Sequence, residues 1–461
     1  MKKSIGAGFI ALVLTGCGGG GGTSAPATQP PPVVSTPAPT VTLALNQSKI
    51  TLGSSATLTW SSTNATSCTA SGAWTGAQAI SGTAAQTPTA SGAPTYTLTC
   101  TGTGGTINQS VALTVPIPVQ KSSYESKASA GEVLGPQKLP AEVIGGNAVA
   151  FADFFQDGSY SMVTHSLEYN ASDLSTASKF GHIRFYKNMS GTWVDKTSTI
   201  LSNNVGCLHP RKAAVADFNN DGKPDIFIAC HGFDAPPFSG ELPIILMSQA
   251  DGTYKSAAVP VTCFCHSASA ADVNGDGFPD VLVTGDIAAG KPFFLINNKD
   301  GTFTQDFTRL PADTKSKPIF TAELIDFSRS GKYDVFLGGH EHEQYADWPA
   351  TIFPNDGVGS FTTTPPKILP AAADYGLPLD IVVKNGNIYL LRTIDLHTNF
   401  YGGVAIQKIA YPSLASQIIY QHSGSYSGIA PGFDSKWVNW IVSYQGTVAS
   451  LNAAYGVSVA Q

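Results

Sequence analysis

The sequence predicts an all-β protein in two folded parts, a β-sandwich followed by a β-propeller. Three observations carry that expectation. Charged residues make up 13 % of the chain, about half the usual ~25 %, while 47 glycines and 30 prolines supply turns rather than helices. Residues 41–116 alternate apolar and polar in short runs. From Asp153 onward one pattern returns, a strand, an aspartate-rich turn and a second strand, at intervals of 64, 55 and 54 residues marked by Asp153, Asp217, Asp272 and Asp326. At 461 residues the chain exceeds one ordinary domain. Its net charge is −6 with no basic run beyond Lys2-Lys3, which argues against nucleic-acid binding.

The first residues, MKKSIGAGFIALVLTGC, set two lysines before an apolar run from Ile5 to Leu14. That run is too short to remain as a membrane-spanning helix and reads as an export signal. Leu14-Thr15-Gly16-Cys17 resembles the lipobox of bacterial lipoproteins. The resemblance implies a signal peptide over 1–17, lipidation of Cys17 and, with no aspartate following, an outer-membrane or cell-surface location. The membrane is then touched through the lipid anchor only. Export places the other six cysteines in an oxidising compartment, where disulfides are the default. Residues 18–40 are Gly, Pro, Thr, Ser and Ala-rich and uncharged. They form no core and act as a spacer, reaching up to ~70 Å if extended at ~3.1 Å per residue.

Within 41–116, Cys68 and Cys100 are the only cysteines and are expected to pair. The stretch LTWSSTNATSCTASGAWTG with the later YTLTCTG resembles bacterial immunoglobulin-like modules. Trp60 precedes the first cysteine, unlike in antibody domains.

In residues 118–461 each Asp-rich hairpin is followed by a second one, as in IILMSQADGTYKSAA and FFLINNKDGTFTQDF, whose Asp-Gly turns are strong hairpin signals. Four strands per unit at this period indicate propeller blades, six by length, with seven as the alternative. The last blade is expected to be completed by a strand near 121–138. AVADFNNDGKPDIFIACHG and SAADVNGDGFPDVLVTGD resemble the FG-GAP (VCBS) repeat of integrin-α-like propellers.

The turns carry oxygen donors at alternating positions. One set is Asp217, Asn219, Asp221, Lys223 (backbone) and Asp225. The next is Asp272, Asn274, Asp276, Phe278 (backbone) and Asp280. That spacing, with a turn glycine, suits a hard cation such as Ca2+. Two ions are expected, with a weaker third set at Asp326, Ser328, Ser330 and Asp334. Three carboxylates packed without a cation would repel.

Chain direction places the residues before each unit's first strand and after its second at the end opposite the turns. There lie His165, Cys207, His209, Arg211, Cys230, His231, Asp234, Cys263, Cys265, His266, Asp286, His340, His342 and Trp348. This is the expected ligand face, for a glycan or protein, on a monomer. His165, His209, His231 and His340 are the candidate acids or bases if the chain is instead a polysaccharide lyase or hydrolase. A structural cell-surface component is the third reading. The four cysteines of this face admit disulfides, a transition-metal site with the neighbouring histidines, or a nucleophile. Among disulfides, Cys207 and Cys230 are each expected to pair with one of Cys263 and Cys265, since Cys263–Cys265 would be too far apart on a regular strand, with Cys207–Cys230 as the alternative.

Overall fold

A computed structural model describes residues 36–461, apart from 136–139, 141–147, 171–172, 286–290, 343–347, 397–401, 424–436, 453–456 and 461. The signal peptide, Cys17 and most of the spacer lie outside the described residues. So does Asp286. No described helix is long and apolar enough to cross a membrane.

The chain is almost wholly β, in eight open antiparallel sheets of three or four strands. Two belong to the N-terminal part. One orders Thr40–Leu45, Ala56–Thr63 and Ser81–Gln86, and the other orders Gly76–Gln78, Ser67–Gly72, Thr95–Gly102 and Gly105–Ala112. Alternation places Leu43, Leu58, Trp60, Leu98 and Cys100 in one apolar cluster. The Cys68–Cys100 disulfide forms as expected. It joins directly opposed residues of neighbouring strands in one sheet, Cα–Cα 4.1 Å. An immunoglobulin fold uses such a bond to tie two sheets together, so the immunoglobulin-like sandwich is corrected to a pair of open sheets.

Six further sheets follow, one per repeat, each a simple meander. Sheet 1 holds Ala148–Ala152, Ser161–His165, Ile183–Met189 and Thr192–Asp195. Sheet 2 holds Pro210–Ala216, Asp225–Cys230, Ile244–Ser248 and Tyr254–Ala258. Sheet 3 holds Ser267–Ala271, Asp280–Thr284, Phe293–Asn297 and Phe303–Asp306. Sheet 4 holds Ile319–Ile325, Asp334–Gly339, Thr351–Phe353 and Lys367–Ile368. Sheet 5 holds Leu377–Lys384, Asn387–Thr393, Gly403–Ala410 and Ser416–Ser423. Sheet 6 has three strands, Trp437–Tyr444, Thr447–Asn452 and Val457–Ala460. The first strand of each sheet packs against the first strand of the next. Apolar clusters fill the seams, such as Val163, Ile226 and Ile228 between sheets 1 and 2.

The closed propeller of six or seven blades is also corrected. No sheet closes, and no described strand pairing joins sheet 6 to sheet 1. The expected closing strand near 121–138 is a helix instead, α1, Ser123–Leu134. Its start has the spacing of a capping box, with the return bond going to the residue before the N-cap. Ser122 Oγ accepts from the Glu125 backbone N at 3.1 Å, and Glu125 Oε2 accepts from the Lys121 backbone N at 3.2 Å. The helix packs against the first strands of sheets 1, 2, 3, 4 and 6. Ala130 shares a buried cluster with Phe151, Met162 and Tyr186 of sheet 1 and Val442 of sheet 6. A wedge of side chains stands where strand pairing was expected.

Polar contacts hold α1 as firmly. Lys127 Nζ donates to Asp380 Oδ1 at 2.6 Å and to the Ile381 carbonyl at 2.9 Å, and lies 3.4 Å from Glu323 Oε1. Lys212 Nζ reaches the same Glu323 oxygen at 2.6 Å. Tyr124 Oη accepts from the Val383 backbone N at 2.6 Å.

Candidate functional site

The aspartate turns share one hydrogen-bond scheme. The first aspartate accepts from the backbone N–H groups four and five residues on. Asp217 takes Asp221 and Gly222 at 3.0 and 2.8 Å, and Asp272 takes Asp276 and Gly277 at 3.1 and 2.8 Å. Asp153 and Asp326 repeat this with 157–158 and 330–331. Asn219 and Asn274 accept from the N–H of Asp221 and Asp276, which in turn accept from the N–H of Lys223 and Phe278. Ser328 donates to Asp326 at 3.3 Å. The last aspartate crosses the sheet. Asp225 accepts from Phe218 N at 2.9 Å and Ser248 N at 2.7 Å, Asp280 from Asn297 N at 2.9 Å, and Asp334 from Asn355 N at 2.9 Å.

These are Asx turns that hold themselves. The repulsion that called for a cation is relieved by backbone N–H groups and by a lysine at each main turn, Lys223 Nζ 3.8 Å from Asp221 and Lys299 Nζ 3.4 Å from Asp276. Among the described residues no group of three metal-ligating side chains converges there. Calcium binding is therefore not borne out, and the reading of a calcium-held propeller presenting a glycan or protein ligand falls with it. A cleft of about 920 Å3 lies along these turns, between 49–52 and 116–121, and its Asp217 and Asp272 are already engaged by their own loops.

At the other end the structure gathers part of the expected face. Ring centroids run from Tyr169 to His209 (5.6 Å), His209 to His231 (4.7 Å), His231 to His266 (5.5 Å) and His266 to Phe320 (3.8 Å). Arg211, on the first strand of sheet 2, reaches His209 Nε2 at 3.3 Å and His266 Nε2 at 2.5 Å. The guanidinium can only donate, so both Nε2 atoms accept and both protons sit on Nδ1. His266 Nδ1 then donates to the Phe320 carbonyl at 3.0 Å. Burial holds all three imidazoles well below their ordinary pKa, and the Arg211 charge adds to it. They are neutral rings.

The other candidates part from this group. His165 is fully buried with both nitrogens used, Nδ1 toward the Ser166 carbonyl at 2.8 Å and Nε2 accepting from Cys207 N at 2.8 Å. Burial lowers it to about 4. It fastens two loops and has no nitrogen left for proton transfer. Gly206 passes against this ring so closely that a Cβ would collide with it. His340 and Trp348 are buried, Trp348 packing near-parallel to Phe353. His342 sits elsewhere, with Nδ1 2.6 Å from Asp395, a fully buried carboxylate.

The cysteines pair in the alternative way rather than the favoured one. Cys207 bonds Cys230, and Cys263 bonds Cys265. Cys207 precedes one strand of a hairpin and Cys230 ends its partner, where Pro210 and Cys230 stand opposite. Hairpin geometry thus brings them to a Cα separation of 6.1 Å. Cys263 and Cys265 precede the strand Ser267–Ala271, in irregular chain that brings their Cα atoms to 5.1 Å. Removing the first bond as Cys207→Ser/Cys230→Ser is expected to cost about 3 kcal/mol, from loop closure over a separation of 23 residues. Urea unfolding checks the cost, and non-reducing peptide mapping checks the pairing.

Sequence reasoning missed Glu241. Its carboxylate accepts from Leu208 N, His209 N and Gly232 N, each at 2.9 Å, and so sets the loops that carry His209 and His231. No motif marks it.

Among the described residues two groups of side chains bring three potential ligand atoms within 4.8 Å of one another, Cys207–Cys230–Glu241 and His209–His231–Asp234. In the first the sulfurs are spent in a disulfide and the carboxylate on backbone N–H groups. In the second two buried rings face an exposed carboxylate.

An FG-GAP-like repeat matches residues 171–228 and 272–337, two copies. They span the turns at Asp217, Asp272 and Asp326. No curated protein matches the chain. Similar solved structures include a quinonprotein alcohol dehydrogenase-like protein from Bacteroides thetaiotaomicron, 11 % identical, TM-score 0.33, covering 89 % of this chain and 79 % of that one. PorZ, a surface component of the type-IX secretion system of Porphyromonas gingivalis, is 12 % identical, TM-score 0.34, covering 81 % of this chain and 37 % of PorZ. The polysaccharide lyase Uly1 is 9 % identical, TM-score 0.32, covering 90 % and 88 %. Similarity at this level carries no argument about function, and it does not favour a lyase or a surface-assembly role here.

Proposed function

We infer that the chain is an exported, lipid-anchored protein that binds one transition-metal ion through His209, His231 and Asp234. The observation that carries the reading is the convergence of three ligand atoms from these residues within 4.8 Å. Two neutral imidazoles and a carboxylate suit zinc and its first-row neighbours. His209 Nδ1 has no hydrogen-bond partner among the described residues, and it can take the ion once its proton moves to Nε2, which releases the Arg211 hydrogen bond made there in the metal-free chain. Asp234 is exposed, so such a site keeps a side open to a further ligand. Export is supported by the lysines and apolar run before Cys17 and by six paired cysteines.

Elemental mass spectrometry on the exported chain, purified without chelator from zinc-supplemented medium, tests the metal. About one zinc per chain is expected, lost in His209→Ala and His231→Ala variants that keep their disulfides. Calcium alone, or no metal, overturns the reading. Detection of the acylated Cys17 by intact mass checks the anchor.

A further inference from the structure

Arg211 carries a charge that nothing described balances. No described carboxylate lies within ion-pair distance of it, whereas the nearby Lys212 and Lys127 are matched by Glu323 and Asp380. Its described hydrogen bonds go to two neutral rings, His209 and His266. A guanidinium has five N–H donors, so three remain. Its carbon lies 5.8 Å from the centre of the Phe320 ring, which, with the two imidazoles, fixes the plane of the fork. Arg211 also lines a cavity of about 60 Å3 together with Lys212, His266, Ser267, Thr321 and Glu323. With the two lysines and two carboxylates paired, the surplus charge of this cavity is Arg211's own.

A half-buried, pre-oriented guanidinium with spare donors and no counter-charge is built for an oxyanion, which it can grip with two parallel hydrogen bonds. Ser267 and Thr321 line the same space, the Ser267 hydroxyl being bonded to the backbone of Ala322. We propose that Arg211 is the anchor of an oxyanion-binding site that takes the carboxylate or phosphate group of a small ligand. The site does not rest on a metal at His209 and His231. The imidazoles act here as positioning residues, holding the fork through their Nε2 atoms.

The test is anion binding by the full, disulfide-intact chain after chelator treatment, at pH 7.5 and constant ionic strength with chloride as the background. Sodium acetate and inorganic phosphate are titrated separately by calorimetry, which distinguishes the carboxylate from the phosphate source. At least one is expected to bind in competition with chloride. Arg211→Gln is expected to weaken that binding tenfold or more, and Arg211→Lys to recover only part of it, since the ammonium cannot grip bidentately. Should the variants fail to fold, the wild type still reports. The bound anion is expected to protect Arg211 from phenylglyoxal, read by peptide mass mapping. Three results overturn the proposal: no binding of either anion, unchanged affinity in Arg211→Gln, or binding only after zinc is restored. The last would make the anion a ligand of the metal rather than of the arginine.

Discussion

Replacing Lys127 by methionine is expected to lower the unfolding free energy of the chain by about 3–5 kcal/mol, the cost of leaving a buried charge without its partner. Lys127 is where α1 enters the seams between sheets. Its ammonium is shared between Asp380 of sheet 5 and Glu323 of sheet 4, and both carboxylates are buried. Glu323 keeps Lys212 and the Ser269 hydroxyl when Lys127 is lost. Among the described hydrogen bonds Asp380 then keeps that from the Ile441 backbone N at 2.8 Å. Burial already pushes the Asp380 carboxyl up despite Lys127, so without the ammonium it is expected to take a proton. The double change Lys127→Met/Asp380→Asn removes both charges and is expected to recover part of the loss. Urea unfolding of the two variants measures the coupling. A single-variant loss below about 1 kcal/mol would mean that α1 is held by its apolar face alone.

Much of this architecture was legible because turn chemistry is local. The Asp-Gly and Ser-Gly turns locate the hairpins of sheets 1 to 4, and the interval between first aspartates gives one sheet per repeat. Closure is not local. It depends on what lies between sheets 1 and 6, and the residues there, SYESKASAGEVL, were expected to be a strand. A start signal was present in Ser122 and Glu125, spaced as a capping box. No continuous apolar stripe marks the helix, because α1 meets its neighbours largely through Ser123, Lys127, Ala130 and Gly131, with Tyr124 and Leu134 as its large packing side chains at either end. Gly131 is required at its position, since a Cβ there would strike Val442.

The aspartate turns failed in a different way. Oxygen acceptors at alternate positions suit a cation, and they suit a row of backbone N–H groups equally well. The sequence carries no mark of which is served. Arg211, His209, His231 and His266 were placed at one end by strand direction alone. That Arg211 bridges two of the rings, and that Glu241 holds their loops, depends on side-chain reach across two sheets.

The turn carboxylates are also expected to make stability fall as pH rises from about 4 to about 7 in chelator-treated protein. Asp225 and Asp280 are fully buried, and burial lifts each to about 7 from an ordinary 3.8, against the backbone N–H groups that favour the anion. The sign follows from proton counting. Below about pH 4 the folded and unfolded chains both hold the protons. Between about 4 and 7 the unfolded chain releases them while the folded chain keeps them, so unfolding is favoured as pH rises. A shift of about three units at ~1.4 kcal/mol each sets an upper bound of about 4 kcal/mol per carboxyl. Sheet 1 shows that a neutral group can take one of these roles, for Ser161 Oγ accepts from Phe154 N at 2.9 Å where sheet 2 uses Asp225 on Phe218 N. Asp225→Asn and Asp280→Asn are therefore expected to flatten the slope, each losing about 1 kcal/mol at low pH for one misplaced acceptor. Urea midpoints at pH 5 and 7.5 read both effects. A wild type with equal midpoints at the two pH values would sink the argument. A slope that disappears when calcium is added would show instead that these carboxylates, once ionised, give up their backbone donors for a cation.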